Sequence, residues 1–301
     1  MTVQIESRNT INKKAEYAQL YEELGEKYPE TEYAHNERFA GSRYWTVMRE
    51  LQPYSRKSKR LVDLGCNDGV YSIPYGLQGG SSTGVDISVS LIRKASVRAK
   101  RVNSSCVFLA GEIDSPDLIR IIRDNFDVAL LSEVLEHLQN PGQALQNIHS
   151  LLVQGGDLIL TTPTPLFNGS KLSTKYVFDL LTRKRLTENF ELDTTILRKF
   201  NVSSFIYRHD GYYPLALIEY VNRFGFRCMK NYTIDYLRAP EKSIESVSSD
   251  GEASFLSHDS SLKKRLIQNM RKLGLEIEIP IRNLPIINLL GSTNVAVFRK
   301  T

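Results

Sequence analysis

The sequence predicts an α/β fold with a doubly wound parallel sheet, because strand and helix patterns alternate from Arg60 to Thr162. Its composition, 41% hydrophobic and 24% charged residues, is that of an ordinary globular protein. With 301 residues, the chain is long enough for one large α/β domain or one domain with an added cap. We therefore expect a full hydrophobic core.

The alternation predicts five strands, near residues 60–64, 82–86, 105–110, 126–131 and 157–162. Helical patterns fill the intervals, near residues 70–78, 88–101, 115–123 and 141–152. Farther along, an amphipathic helical segment over 215–224 ends at Gly225, which suits a helix stop. Two more strands are predicted, at 226–234 and at 294–299.

The first predicted strand runs directly into a glycine loop, which residues 60–69 spell as RLVDLGCNDG. Gly65 and Gly69 lack Cβ atoms where the backbone must bend and where a ligand can approach. Amides of such a loop and of the helix behind it favour a carboxylate, phosphate or ribose-bearing cofactor. The spacing G-x-x-x-G, with Asn67 in the middle, departs from the G-x-G-x-x-G that a dinucleotide pyrophosphate needs.

A second acidic residue, Asp86, ends the next strand and follows Asp63 by 23 residues. That offset is near the roughly 20 residues expected when one helix joins adjacent parallel strands. The glycine loop and the two acids together resemble the class I S-adenosylmethionine-dependent methyltransferases. The resemblance implies a Rossmann-like seven-stranded sheet whose last strand is antiparallel.

In that family the glycine loop lies under the methionine and ribose of the cofactor, and the acid ending the second strand takes the ribose hydroxyls. Asn67 stands where the family usually has glycine, but asparagine tolerates a positive φ. After the third strand the family places an acid or amide beside the adenine, here Glu112, although a solvated loop carboxylate is an alternative. The resemblance assigns eleven residues to the cofactor: Asp63, Gly65, Cys66, Asn67, Gly69, Asp86, Ile87, Glu112, Ile113, Ser132 and Glu133. We interpret Cys66 as a loop spacer.

The fourth strand ends in the sequence Glu133-Val134-Leu135-Glu136-His137, an E-x-x-E-H stretch. It is similar to that of the ubiquinone-pathway O-methyltransferases and of small-RNA 2′-O-methyltransferases, in which a later histidine completes a divalent metal site. Here the later histidine is His209. Hard oxygens plus a nitrogen suit Mg²⁺ or Mn²⁺, so Glu133, Glu136, His137 and His209 form the candidate metal set. A metal-free site, in which the first acid simply lies beside the methionine end of the cofactor, is the alternative.

Methyl transfer to oxygen also calls for a base, and neutral imidazole suits that role near pH 7. His137, with His209 as a second catalytic candidate, is placed where the acceptor should enter. A histidine that only orders the loop is the alternative for His137. The leading functional prediction is O-methylation of a small phenolic, sugar or lipid-linked acceptor. RNA ribose 2′-O-methylation with a divalent metal and a catalytically silent partner protein of the same fold are the alternatives.

Three segments lie outside the predicted cofactor-binding core of residues 60–162. Residues 1–59 form an N-terminal helical extension, which either covers the site or packs on the flank of the sheet. Residues 163–208 are predicted to be a cap insertion, and 209–301 complete the sheet around a 239–290 insertion. Within that insertion, 261–290 combines apolar and basic residues and predicts either peripheral membrane contact or an ordinary surface helix.

Composition restricts the compartment and the partners only mildly. The net charge of +5 attracts anions without requiring nucleic acid, so a nucleic-acid partner is not expected. Three cysteines do not suggest a disulfide framework, and the first residues lack the apolar core of a signal peptide. We therefore expect a cytoplasmic protein, with membrane association left open. The sequence does not predict an oligomeric state.

Overall fold

The computed structural model describes residues 18–19, 21–23, 25–26, 42–122, 124–164, 167–168, 171–172, 212, 214–234 and 291–301. Its main sheet has seven strands in the order β3-β2-β1-β4-β5-β9-β8. Their bounds are β1 Arg60–Leu64, β2 Ser81–Asp86, β3 Cys106–Ala110, β4 Phe126–Ser132, β5 Leu152–Pro163, β8 Phe226–Ile234 and β9 Thr293–Lys300. A two-stranded hairpin, β6 Phe167–Asn168 and β7 Lys171–Leu172, is separate from this sheet.

The strand order confirms the predicted doubly wound α/β sheet. Strands β1 to β5 pair in parallel, whereas β9 runs antiparallel to both of its neighbours. The chain builds outward from β1 through β2 to β3, then returns to place β4 on the other side of β1. Neighbouring strands β1 and β4 therefore lead into connections on opposite sides, which opens a crevice at their carboxyl ends.

Helices pack on both faces of the sheet, as parallel strands require. They are α1 Ser42–Ser55, α2 Ser72–Leu77, α3 Val89–Arg101, α4 Leu118–Ile121, α5 Pro141–Leu151 and α6 Pro214–Asn222. Alternate strand residues enter different cores: Leu130 packs with α1 residues such as Leu51, and its neighbour Leu131 packs with α5 residues such as Leu145. All four side chains are fully buried, so the central strands stabilise the fold through both faces.

The N-terminal extension has two parts with different neighbours. Helix α1 packs against the flank of the sheet, where Val47 and Leu51 contact the core that contains Leu61. The described residues among 18–26 are helical and lie instead against the carboxyl ends of the strands, because Tyr21 contacts His137. The division of the chain into four domain-like parts remains a prediction.

Two elements differ from the sequence-based expectation. Strand β5 begins at Leu152, directly where α5 ends, and not near residue 157. Gly155 takes a positive φ of 72° in this early stretch, and the pairing with β4 changes register there, so the irregularity hid the strand pattern. Helix α4 covers only 118–121 of the predicted 115–123, because Ile122 is already extended and leads into β4.

Several predictions fall outside the described residues. These are His209, most of the 163–208 cap, the 239–290 insertion and the membrane-contact segment 261–290. Within the part of the chain that the structure describes, no helix is long and apolar enough to cross a membrane.

Asp157 joins three elements at the amino-terminal half of β5. Its buried carboxylate accepts a hydrogen bond from the Tyr54 hydroxyl of α1 at 2.6 Å and two from the Arg299 guanidinium of β9, at 2.8 and 3.0 Å.

We predict that Asp157→Ala lowers the free energy of unfolding by about 2–3 kcal/mol, since it leaves both donors without their acceptor. Urea denaturation measures this. Asp124→Ala is the control, because that exposed carboxylate lies 3.6 Å from Arg60 and should change stability by under about 0.5 kcal/mol.

Candidate functional site

The candidate site lies where β1 and β4 end side by side. The glycine loop of residues 65–69 follows β1, and the E-x-x-E-H stretch of residues 133–137 follows β4. The two segments touch, because a Cβ atom on Gly65 would lie 2.3 Å from the Val134 Cγ2 atom. A side chain at position 65 would therefore push the segments apart.

The glycine loop needs three residues in the left-handed region. Gly65, Asn67 and Gly69 have φ values of 77°, 52° and 86°. The Asn67 side chain stabilises its own turn, because its Oδ1 atom accepts a hydrogen bond from the Asp68 amide at 2.7 Å. Asn67 therefore takes a left-handed conformation in this turn, as the sequence analysis expects.

Asp86 connects the glycine loop to the start of α3. Its two carboxylate oxygens accept hydrogen bonds from the Asn67 amide at 2.9 Å and from the Ser88 amide at 3.0 Å. Burial raises the pKa of this carboxyl, and Glu22 adds to the rise, while the amide hydrogen bonds oppose it. The carboxylate is thus held rigidly at the carboxyl end of β2, beside the loop.

Asp63 lies beneath the loop and is fully enclosed. Its Oδ2 atom accepts a hydrogen bond from the Ser72 hydroxyl of α2 at 2.6 Å. Burial, with a smaller contribution from the nearby Asp86, raises the pKa of Asp63 to about 7. The hydrogen bond from Ser72 acts in the opposite direction. Asp63 therefore ties the loop to α2 and has no exposed face for a ligand.

A buried ion pair holds the far side of the loop, and the sequence analysis did not find it. The Arg98 guanidinium of α3 pairs with the Asp68 carboxylate and also donates to the Asp68 carbonyl oxygen at 2.8 Å. Only 3% of the Asp68 side chain and 14% of the Arg98 side chain are exposed. Thirty positions separate the two residues, so no local pattern could have indicated the pair.

Glu133 begins the opposite wall of the crevice. It has a positive φ of 56°, which is uncommon for a residue with a long side chain and marks a constrained turn. Its carboxylate pairs with the Arg43 guanidinium at 2.9 Å and accepts a hydrogen bond from the Thr161 hydroxyl at 3.2 Å. Arg43 comes from α1, so the N-terminal extension helps to order this wall.

Glu136 points into the protein, whereas His137 remains partly exposed. The Glu136 Oε2 atom accepts a hydrogen bond from the Thr162 hydroxyl at 3.1 Å, and burial, with the charge of Glu133, holds the pKa of Glu136 well above its usual range. The His137 Nε2 atom lies 3.8 Å from Glu136 Oε1, and 23% of the His137 side chain is exposed. The His137 ring, which follows β4, is therefore partly accessible, whereas its Nδ1 atom is buried.

The predicted metal set is not assembled among the described residues. No group of three or more histidine, cysteine, aspartate or glutamate side chains is placed to hold a metal ion within those residues. Glu133 binds Arg43, Glu136 binds Thr162, and His209 lies outside the described part of the chain. Metal binding therefore stays a prediction that the described geometry does not support.

The remaining predicted residues lie at or just after the carboxyl ends of β2, β3 and β4. Gly111 donates its amide to the Asp86 carbonyl oxygen at 2.9 Å, which places the half-buried Glu112 beside the end of β2. Ile113 is buried, and the part-buried Ser132 hydroxyl lies 2.9 Å from that of Thr161. Ile87 is half-buried directly after Asp86.

Cys66 faces away from the crevice into the core. A Cβ atom on Gly84 would lie 2.8 Å from its Sγ atom, and burial raises the pKa of the Cys66 thiol. This geometry fits the interpretation of Cys66 as a loop spacer, a residue that packs against the core and does no chemistry.

Comparison with known proteins decides the family. A family profile described as "Methyltransferase domain" matches residues 33–230, which include all the site segments described above. The chain belongs to this methyltransferase family. Its sheet, with β9 antiparallel between β5 and β8, is that of the class I S-adenosylmethionine-dependent members.

Curated relatives include ubiquinone biosynthesis O-methyltransferases. The protein of that name from Coxiella burnetii (strain Dugway 5J108-111) is 29% identical over 133 residues, which cover 43% of this chain and 56% of the relative. The one from Nitrobacter winogradskyi is 31% identical over 103 residues, covering 34% of this chain and 38% of the relative. The chain thus spans about half the length, or less, of these curated relatives.

Solved structures give weaker likenesses. An S-adenosylmethionine dependent methyltransferase from Mesorhizobium loti is 16% identical with a TM-score of 0.49, over 85% of this chain and 97% of that one. A protein described as a sarcosine dimethylglycine methyltransferase from Galdieria sulphuraria is 13% identical with a TM-score of 0.48, over 86% of this chain and 85% of that one.

The raised pKa of Asp63 predicts how stability depends on pH. Because the folded-state pKa of about 7 exceeds the ordinary value of 3.8, the folded protein binds the proton more tightly than the unfolded chain. The contribution of Asp63 to the free energy of unfolding should therefore fall as pH rises from about 4 to about 7. Asp63→Asn removes this contribution, so its stability should fall less steeply, by up to about 1.4 kcal/mol per pH unit. Urea denaturation at several pH values, without cofactor, measures the difference, and parallel curves for the two proteins would contradict the prediction.

Proposed function

We propose that this protein is an S-adenosylmethionine-dependent methyltransferase that methylates an oxygen of a small phenolic, sugar or lipid-linked acceptor. The observation that carries the proposal is the Asp86 carboxylate, held by two backbone amides beside a left-handed glycine loop where the strand order reverses. Membership of the methyltransferase family supports it.

The cofactor would lie over the glycine loop between β1 and β4. Gly65 and Gly69 give the loop its left-handed turns and its close packing against Val134 and Ile73. The Asp86 carboxylate would offer its remaining lone pairs to the two ribose hydroxyls. Glu112, beside the end of β2, would accept from the adenine amino group. Ser132 and Glu133, at the end of β4, would then neighbour the methionine end.

S-adenosylmethionine bound over the glycine loop and Asp86 would supply an electrophilic methyl group. The acceptor oxygen would take this group by in-line displacement, with S-adenosylhomocysteine as the leaving group. The protein must hold the oxygen close to the methyl group and accept the acceptor proton. His137, with its partly exposed imidazole at the crevice, is proposed as the proton acceptor.

The small-molecule acceptor is proposed from the curated relatives, whose names specify ubiquinone biosynthesis and O-methylation. Acceptor choice is assigned to segments outside the cofactor-binding core, because that core supplies only the methyl group. Nothing in the described residues favours the RNA ribose alternative over this one.

The cofactor assignment predicts a loss of affinity in Asp86→Ala. Removal of the carboxylate takes away the ribose acceptor and also releases the amides of Asn67 and Ser88. We expect the dissociation constant for S-adenosylmethionine to rise at least about tenfold in calorimetry. Asp124→Ala is the control, since Asp124 lies before the amino end of β4, whereas the site lies at the carboxyl ends of the strands. Thermal denaturation checks that both proteins are folded. If folded Asp86→Ala binds S-adenosylmethionine as tightly as the wild type does, the site assignment is rejected.

The base assignment predicts that His137→Ala separates turnover from cofactor binding. With S-adenosylmethionine and a panel of catechol-type phenols, we expect kcat to fall by about 10²–10⁴-fold while the cofactor dissociation constant changes less than about twofold. Product methylation is followed by mass spectrometry. His149→Ala is the control, since His149 packs against Phe226 near the amino end of β5. Wild-type turnover in His137→Ala would remove the role, and methylation of a small RNA without any phenol product would favour the alternative acceptor.

A further inference from the structure

One short N-terminal segment contacts both the segment after β4 and the start of α3. We call the described residues 18–19, 21–23 and 25–26 the strap; they are helical. On one side, the Tyr21 ring meets the His137 imidazole edge-on, with ring centroids 6.4 Å apart. On the other side, the next residue, Glu22, reaches the first turn of α3. These two contacts come from consecutive residues of the strap.

The Glu22 carboxylate accepts several hydrogen bonds from the start of α3. The Ser88 hydroxyl donates to Glu22 Oε2 at 2.9 Å, and the Ser90 amide donates to Glu22 Oε1 at 3.1 Å. Burial acts to raise the pKa of Glu22, but hydrogen bonds from Ser88, Ser90 and the Val89 amide outweigh it, so the pKa lies below its ordinary value. The contact therefore favours the ionised carboxylate.

The strap packs closely where Glu22 binds. A Cβ atom on Gly25 would lie 2.3 Å from the Ser88 Oγ atom, so only glycine allows this approach without a shift. The Lys94 ammonium donates to the Gly25 carbonyl oxygen at 2.7 Å, one turn farther along α3. A carboxylate and a carbonyl of the strap are thus both held by α3.

Ser88 links the strap to the proposed cofactor residue. Its amide donates to Asp86 and its hydroxyl donates to Glu22, so one residue joins the two carboxylates. Ser88 also caps α3 by itself, because its hydroxyl oxygen accepts from the Leu91 amide at 3.3 Å. Because Ser88 already caps α3, the helix does not need Glu22 as a cap. We therefore interpret the Glu22 contact as an attachment of the strap to α3.

We propose that Glu22 is a positioning residue: it fastens the strap to the start of α3, and the strap in turn holds Tyr21 against His137 across the crevice. For its effect on the cofactor, this inference rests on the proposed function. A nucleoside bound at Asp86 would lie beneath the strap and would leave when the strap is displaced. Glu22 would then control both the dissociation of the cofactor and the orientation of the His137 ring.

The first test measures the strap through His137 and needs no cofactor. The ring-proton resonances of His137, assigned with His137→Gln, should shift in Tyr21→Ala, which removes the neighbouring ring. They should remain close to wild type in Tyr21→Phe, which keeps it. Glu22→Gln should move the His137 resonances in the same direction as Tyr21→Ala does. Glu26→Gln is the matched control, because it removes the same charge from an exposed residue of the same strap and should leave them unchanged.

The second test measures the cofactor product. We expect the dissociation rate of S-adenosylhomocysteine, followed by stopped-flow fluorescence, to rise about tenfold in Glu22→Gln and to stay within about twofold of wild type in Glu26→Gln. Thermal denaturation checks that both variants are folded. If Glu22→Gln matches Glu26→Gln in both tests, the proposal is overturned.

The two tests separate this inference from the proposed function. If the wild-type protein does not bind S-adenosylhomocysteine, the proposed function fails, and the His137 resonances still decide whether Glu22 fastens the strap. If the wild type binds it but Glu22→Gln leaves the resonances and the rate unchanged, only the role of Glu22 fails.

Discussion

The site depends on the Asp86 carboxylate and the two backbone amides that bind it. One amide belongs to the glycine loop after β1 and the other to the start of α3, so a single side chain fixes two connections relative to each other. The left-handed residues of the loop bring the Asn67 amide into position, and Asn67 Oδ1 keeps the turn closed. The shape of the crevice between β1 and β4 follows from this arrangement.

The crevice collects buried acids whose charged forms are disfavoured. Burial raises the pKa of Asp63, Asp86 and Glu136, and the proximity of Asp63 and Asp86 raises that of Asp63 further. Such a cluster lowers the stability of the empty protein at neutral pH, because the unfolded chain ionises these groups freely. Because perturbed acids concentrate where ligands bind, the cluster supports the proposed cofactor site.

The N-terminal extension contributes more to the crevice than its sequence suggests. Arg43 of α1 pairs with Glu133 on one wall, and the strap reaches both His137 and the start of α3. Packing on the sheet describes α1, whereas cover of the site by the strap stays a prediction. The side of the protein that should receive the acceptor is thus built partly from residues that precede β1 in the chain.

The sequence by itself determined the fold, the glycine loop and the acid after β2, because hydrophobic periodicity and glycine spacing are local patterns that fix backbone conformation. Even there, the irregular start of β5 at Gly155 broke the pattern and escaped prediction. Only the tertiary structure decided which side chains meet: Arg98 with Asp68, Arg43 with Glu133, and Glu22 with Ser88. These partners are 30 to 90 positions apart. Their contacts arise when the packing of helices on the sheet brings distant positions together, which no local spacing encodes.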